Sequence, residues 1–254
     1  VVSGAVKGAE ALARWAHPRY GLVAPGSFIP VLEQAQLLDD LTFRMLTKAA
    51  LACAAWHALK WPFRVSVNLS LVSLSDTSLA DRITQTVLDQ GLDPKHMVLE
   101  ITESAAMTEV APALENLARL RMRGFALSID DYGTGYSTLR QLTRVPFTEL
   151  KIDGSFVTGA SANALSRAIV ESSVDTARRL GIETVAEGVE TKEDWKTLQR
   201  LGCGLAQGYF FARPMTGGSF IKYCSARSAS ERASLSAPLA PSMGHQTVHL
   251  IKAR

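Results

Sequence analysis

Two carboxylates stand side by side at Asp130 and Asp131, after the apolar run Ala126-Leu127-Ser128-Ile129 and before Tyr132-Gly133-Thr134-Gly135. A short apolar run bounded upstream by Gly124 predicts a buried strand. Adjacent carboxylates at a strand end repel each other. Keeping both ionised beside an apolar core costs free energy unless a cation sits between them. The alternative for these two residues alone is a solvated Asp-Asp turn that caps the next helix.

Further polar groups recur where apolar runs stop. Glu10 lies close to Arg14. Asn68 ends Arg64-Val65-Ser66-Val67. Glu100 is followed by Glu103, and Lys151, Glu187 with Glu190, and Gln207 come later. Carboxylates plus an amide carbonyl are hard oxygen donors, which suit Mg²⁺ or Mn²⁺ rather than zinc. The five histidines (His17, His57, His96, His245, His249) show no paired spacing. Asp130 and Asp131 are placed to bridge two cations, and metals about 3.5–4 Å apart are a recurring arrangement for in-line attack of water on a phosphodiester. Lys151 has two readings. It neutralises excess carboxylate, or it orients the attacking water and assists proton transfer.

The elements that must carry these groups alternate. Strands are predicted at 64–67, 97–102, 125–129, 149–152, 183–186 and 204–206, with an earlier one running up to Trp15. Helices are predicted at 38–59, 76–90, 112–123, 137–142, 163–180 and 192–201. A short helix follows Ser27 as N-cap, and another spans 218–223. Strands alternating with helices over more than 200 residues of a 254-residue chain predict a parallel α/β fold. Seven strands are visible, so a closed eight-stranded barrel follows if one more lies at or before residue 1. In such a barrel the strand ends meet at one mouth, where chemistry is placed.

Composition excludes several classes. Hydrophobic residues make up 47% and charged residues 20%, a globular balance long enough to bury a core without staples. The net charge of +3 resides in 225–254, where Arg227, Arg232, Lys252 and Arg254 face Glu231 alone. The body is therefore neutral and has no basic stripe for a nucleic-acid polymer. Cys53, Cys203 and Cys224 have no metal-ligand spacing, as expected of inert thiols in a reducing compartment. No apolar run is long enough to span a membrane, and neither a signal peptide nor a membrane contact is expected from this segment. The expected location is the cytoplasm, although a longer parent protein could be tethered to a membrane. The chain opens at Val1-Val2-Ser3-Gly4 without an initiator Met, so it is expected to be a piece of a longer protein. Residues 1–224 form the expected domain. Residues 225–254, rich in Ser, Ala and Pro, are expected to be a disordered tail.

The motifs in series resemble the EAL-domain family of cyclic-di-GMP phosphodiesterases. They are Glu10-Ala11-Leu12 with Arg14-Trp15, Val67-Asn68-Leu69-Ser70, Leu99-Glu100-Ile101-Thr102-Glu103-Ser104, and Ile129-Asp130-Asp131-Tyr132-Gly133-Thr134-Gly135-Tyr136-Ser137. Leu150-Lys151-Ile152-Asp153, Ala186-Glu187-Gly188-Val189-Glu190 and Gln207-Gly208-Tyr209 complete them. The resemblance implies a TIM-like (β/α)8 barrel whose first strand is antiparallel, and here that strand is largely missing. The strand bearing Glu10 should then have an exposed edge that invites pairing.

The resemblance also implies roles. Glu10, Asn68, Glu100 and Asp130 would hold a first Mg²⁺ or Mn²⁺, and Asp130 and Asp131 a second. Glu187 would contact a metal or the attacking water, and Lys151 would hydrogen-bond that water. Lys151, Glu187 and Glu10 are thus the implied catalytic residues. Leu12, Arg14, Gln207, Glu190, Arg213 and Pro214 would lie on the substrate side. Glu103, Gly133, Thr134 and Gly135 would steady the loop after Asp131. The implied reaction opens cyclic-di-GMP to linear pGpG, with Ca²⁺ inhibitory. The implied context is a homodimer with an upstream sensor, receiver or GGDEF-type domain. Tyr132 stands where phenylalanine is common, Thr138 replaces a usual serine and Gly154 a usual arginine; none of these removes an implied ligand. The intact ligand set favours an enzyme over an idle cyclic-di-GMP receptor, and the motif series disfavours another phosphate ester as substrate.

Overall fold

In a computed structural model, residues 5–70, 72–103, 111–134, 142, 144–235 and 251–252 are described. The chain runs β1 (Gly8–Leu12), β2 (Trp15–His17), β3 (Gly21–Val23), α1 (Pro25–Gln34), α2 (Leu38–Ala58) and β4 (Arg64–Asn68). Then come α3 (Leu79–Asp89), β5 (Met97–Thr102), α4 (Ala111–Met122), β6 (Ala126–Tyr132), β7 (Glu149–Ile152) and α5 (Gly154–Val157). The remainder is α6 (Ala164–Leu180), β8 (Glu183–Ala186), α7 (Lys192–Leu201), β9 (Leu205–Ala206), α8 (Gly217–Leu235) and β10 (Ile251–Lys252).

Seven strands pair in parallel in the order β1-β4-β5-β6-β7-β8-β9. They form the curled sheet of a TIM-like α/β fold. Parallel strands bury both faces, and β5, β6 and β7 are buried at nearly every position. Helices cover the outside through one apolar stripe each, for example Ile83 and Val87 of α3 and Trp195 and Leu198 of α7. Asn163 caps α6 by accepting from the Leu165 and Ser166 amides, and Gly181 ends it in the left-handed region at φ 70°.

The expected exposed edge of β1 is occupied. β10 lies beside it in parallel, with Ala11 opposite Ile251 and Leu12 opposite Lys252. Among the described residues β9 pairs only with β8, so the sheet keeps an open seam between its two ends.

Four expectations differ from the structure. α1 begins at Pro25, with Ala24 and not Ser27 at its N-cap; the fixed φ of proline suits the first helical turn. α3 begins at Leu79 because Asp76 is used one turn earlier, accepting from the Ser78 amide at 2.9 Å. Residues 15–23 form an antiparallel hairpin where one strand end and a loop were predicted. The final helix continues to Leu235, and Ile251–Lys252 form a strand, in the region expected to be disordered. Ser-Ala-Arg-Ser-Ala-Ser-Glu-Arg-Ala-Ser-Leu contains no Gly or Pro, so helix propensity carries it despite the weak apolar periodicity. The predicted helix at 137–142 falls outside the described residues except for Leu142. No helix among the described residues is long and apolar enough to cross a membrane.

Candidate active site

Register places the polar groups at one mouth. Asn68 pairs with Glu100 across β4 and β5, while Glu100 pairs with Ser128 and Thr102 with Asp130 across β5 and β6. Side chains alternate along a strand, so Ser128 and Asp130 share a face, as do Glu149 and Lys151. Ser128 and Glu149 are buried one layer beneath the mouth.

β6 carries the local irregularity that makes the site. Ile129 pairs with Leu150 and Tyr132 with Ile152, so three steps on β6 match two on β7. The extra residue falls at Asp130–Asp131, and Asp131 has φ 57°, a left-handed value. A regular strand would send adjacent carboxylates to opposite faces. The bulge re-aims one of them, and Asp is among the few residues that tolerate this backbone. Oxygens of Asp130, Asp131 and Glu187 consequently lie within 4.8 Å of one another. The turn is fastened by the Asp131 carbonyl, which accepts from the Thr134 hydroxyl at 2.9 Å, and by Glu103, which accepts from the Gly133 amide at 3.1 Å.

Lys151 sits at the centre of the mouth with 2% exposure. Its Nζ is 2.7 Å from Glu187 Oε1, 2.9 Å from Asp130 Oδ1, 3.0 Å from Glu100 Oε2 and 3.6 Å from Glu10 Oε2. Asn68 Nδ2 donates to Glu10 at 3.2 Å and to Glu100 at 3.4 Å. Gln207 Nε2 donates to Glu10 at 3.0 Å and to Glu187 at 2.6 Å, joining the two ends of the open sheet. Gly208 makes that approach possible: a Cβ there would stand 2.2 Å from the Val189 carbonyl oxygen.

The charges are shared unequally. Burial pushes Glu10 up, but Lys151 and the amides of Gln207 and Asn68 outweigh it and hold the carboxyl below its usual range. Burial and the neighbouring Glu10 drive Glu100 well above that range. Burial pushes Glu187 up to about 7 against the pull of Lys151. Burial and then Asp130 raise Asp131. Burial alone would lower Lys151, yet four carboxylates hold it well above the ordinary lysine value.

The structure therefore brings Glu10, Asn68, Glu100, Asp130, Asp131, Lys151, Glu187 and Gln207 into one net. Of the residues expected on the substrate side, Gln207 joins that net, and the structure does not draw Leu12, Arg14, Glu190, Arg213 or Pro214 into it. Leu12 packs against the core, and Arg14 Nη1 donates to the adjacent Ala13 carbonyl at 2.7 Å. Glu190 is exposed, and Arg213 lies over the Tyr209 ring at 4.9 Å, with Pro214 following. Gly135 lies outside the described residues. One feature was missed in the sequence, the bulge, for which Asp-Asp before Gly-Thr-Gly is the available signal. Tyr209, the last residue of the Gln207-Gly208-Tyr209 motif, is exposed.

A parallel barrel-type sheet whose mouth holds an all-oxygen acidic cluster around one buried lysine defines the class: a TIM-like α/β protein with a candidate divalent-cation centre. The EAL domain family model matches residues 1–214, and the chain belongs to that family. It is 39% identical over 222 residues to the cyclic di-GMP phosphodiesterase RocR of Pseudomonas aeruginosa, covering 87% of this chain and 57% of RocR. It is 39% identical over 217 residues to the bifunctional diguanylate cyclase/cyclic di-GMP phosphodiesterase MucR of the same organism, covering 84% of this chain and 31% of MucR. Among solved structures, the PaMucR phosphodiesterase in complex with c-di-GMP superposes with a TM-score of 0.80 at 38% identity. That match covers 84% of this chain and 87% of the other. The chain thus spans between about a third and three fifths of the length of these two relatives.

Proposed function

We propose that this domain hydrolyses cyclic-di-GMP to linear pGpG with two divalent cations, Mg²⁺ or Mn²⁺. The observation that carries the reading is the unbroken net from Glu10 to Gln207 at the mouth, in a chain similar to phosphodiesterases of that substrate. The donor set fits hard cations, since every candidate ligand is an oxygen and Asp130, Asp131 and Glu187 already converge. Glu10, Asn68, Glu100 and Asp130 would hold one cation, and Asp130 and Asp131 the other. When bound, the cations supply charge stabilisation for the phosphodiester and activation of the attacking water.

The chain's own groups do the rest. Asn68 and Gln207 fix the orientation of Glu10 by donating to its two oxygens. Lys151 keeps its proton, and an N–H released when a cation draws one of its carboxylate partners away would turn toward the attacking water from beside Asp130 and Glu187. Glu187, held by Lys151 and Gln207, would present its carboxylate to a cation or to the attacking water. Arg14 and Arg213 offer cations to the phosphates. Glu190 offers a carboxylate to the N–H edge of a guanine, and Leu12, Pro214 and Gln207 complete the substrate wall. Glu103, Gly133 and Thr134 steady the loop that carries Asp131.

We place the domain in the cytoplasm, as a homodimer joined to a sensor, receiver or GGDEF-type domain; the greater length of RocR and MucR supports further domains. Chromatography of cyclic-di-GMP incubated with the protein tests the activity. pGpG should appear with Mg²⁺ or Mn²⁺, and Ca²⁺ should suppress it. Binding of cyclic-di-GMP without product under either metal would make the domain a receptor. Equal cleavage of bis(p-nitrophenyl) phosphate would remove the substrate claim.

A further inference from the structure

The reading of the mouth as a metal centre underlies the following step. An ammonium has three protons to donate, and three carboxylate oxygens lie within 3.0 Å of Lys151 Nζ, with a fourth at 3.6 Å. All four carboxylates are candidate cation ligands. The lysine is buried, so no bulk water screens its charge from anything held by the same oxygens. A lysine that only orients water needs one stabilising partner. This one engages Glu10, Glu100, Asp130 and Glu187 together.

We propose that Lys151 sets the metal affinity of the centre: it competes electrostatically with the divalent cation for the oxygens of Glu10, Glu100, Asp130 and Glu187. The competition has two effects. It holds the carboxylates together as a preformed site, and it caps how tightly a cation is held, so that the cation stays exchangeable. Neutralising the side chain should therefore tighten metal binding while turnover is lost. A residue that acted only on the attacking water would leave metal affinity unchanged.

The test is calorimetric titration of Mn²⁺ into chelator-treated protein for the wild type, Lys151→Met and Lys151→Arg. The Met variant should bind about tenfold more tightly, ~1.4 kcal/mol, whereas the Arg variant, which keeps the charge, should stay near wild type. In chelator the Met variant should melt about 10 °C lower and regain the difference with Mn²⁺. Lys151→Gln retains N–H donors without the charge, and it carries the same expectation where the Met variant does not fold. Equal or weaker Mn²⁺ binding in the neutral variants overturns the proposal. If the wild type produces pGpG and no tightening is seen, the proposal about Lys151 alone fails. If the wild type neither binds Mn²⁺ nor yields pGpG, the reading of the site itself fails.

Discussion

Replacing Asp131 with glycine should raise the stability of the protein in chelator while removing its share of the proposed second cation site. Asp131 has φ 57°, and an L-residue in that conformation carries a cost of about 1–2 kcal/mol, at the lower end for Asp. Its carboxyl is half-buried beside Asp130 and held above its ordinary range by burial and then by that neighbour. Both burdens leave with the side chain. Against them stands the greater freedom of glycine in the unfolded chain, about 0.5–1 kcal/mol. The turn itself survives, because Thr134 donates to the backbone carbonyl of residue 131. Strain relief and glycine entropy nearly offset each other, so the net gain is set by the lost carboxyl burden and is expected to be at most about 1 kcal/mol, or about 2–4 °C in Tm for a domain of this size. Melting curves for wild type, Asp131→Gly, Asp131→Asn and Asp131→Ala separate the two contributions. Asn loses the charge yet tolerates the backbone, so it should also exceed wild type. Ala loses the charge but keeps the strain, so it should fall about 1 kcal/mol below Asn. The sign in pH is fixed by the raised carboxyl. The penalty grows as pH rises above the unfolded carboxyl value, so the Gly gain seen at neutral pH should shrink toward pH 4. An Ala variant as stable as the Gly and Asn variants would refute the strain argument.

Other outcomes follow from the same geometry. Asp130→Asn and Glu10→Ala should each lower kcat by about 10²–10³-fold or more, read as pGpG formation in saturating Mn²⁺. Gly208→Ala should cost about 3 kcal/mol in chemical denaturation, because its Cβ would stand 2.2 Å from the Val189 carbonyl oxygen, and should also reduce turnover by displacing Gln207. Glu187 binds its proton more tightly folded than unfolded. Its contribution to stability in chelator is therefore complete below the ordinary glutamate value and is lost as pH climbs to about 7. Glu187→Gln should flatten that slope in a series of melts between pH 4.5 and 8. His96 acts in the opposite direction: burial and then the neighbouring His57 depress it, so stability falls as pH drops through the unfolded histidine range, and His96→Gln should remove that loss.

Much of the fold was legible because parallel strands write themselves as short apolar runs between helices. β5, β7, β8 and α7 have the bounds that apolar runs and glycine stops predict. The hairpin β2–β3 was hidden because its strands are three residues each and show little burial. The length of α8 was hidden because its last turns are encoded by propensity and not by an apolar stripe. Site residues were visible as polar groups closing strands. Their mutual contacts were not, since the four carboxylates around Lys151 meet only once the sheet curls. The bulge was only hinted at by Asp-Asp before Gly-Thr-Gly, because register belongs to the pair β6–β7 and not to Asp130-Asp131 alone.

The hydrogen bond from Gln207 to Glu10 bears on how the molecule comes to be competent. The two residues are 197 positions apart, so this contact closes one of the longest loops available to the chain. Such closures carry a high entropic cost and slow folding. A ribosome-bound chain that has emerged only as far as β8 would already own Glu10, Asn68, Glu100, Asp130 and Lys151, yet it would lack the amide that aligns Glu10 with Glu187. The proposed chemistry at the mouth would thus begin only once β9 has joined β8 at the end of the sheet.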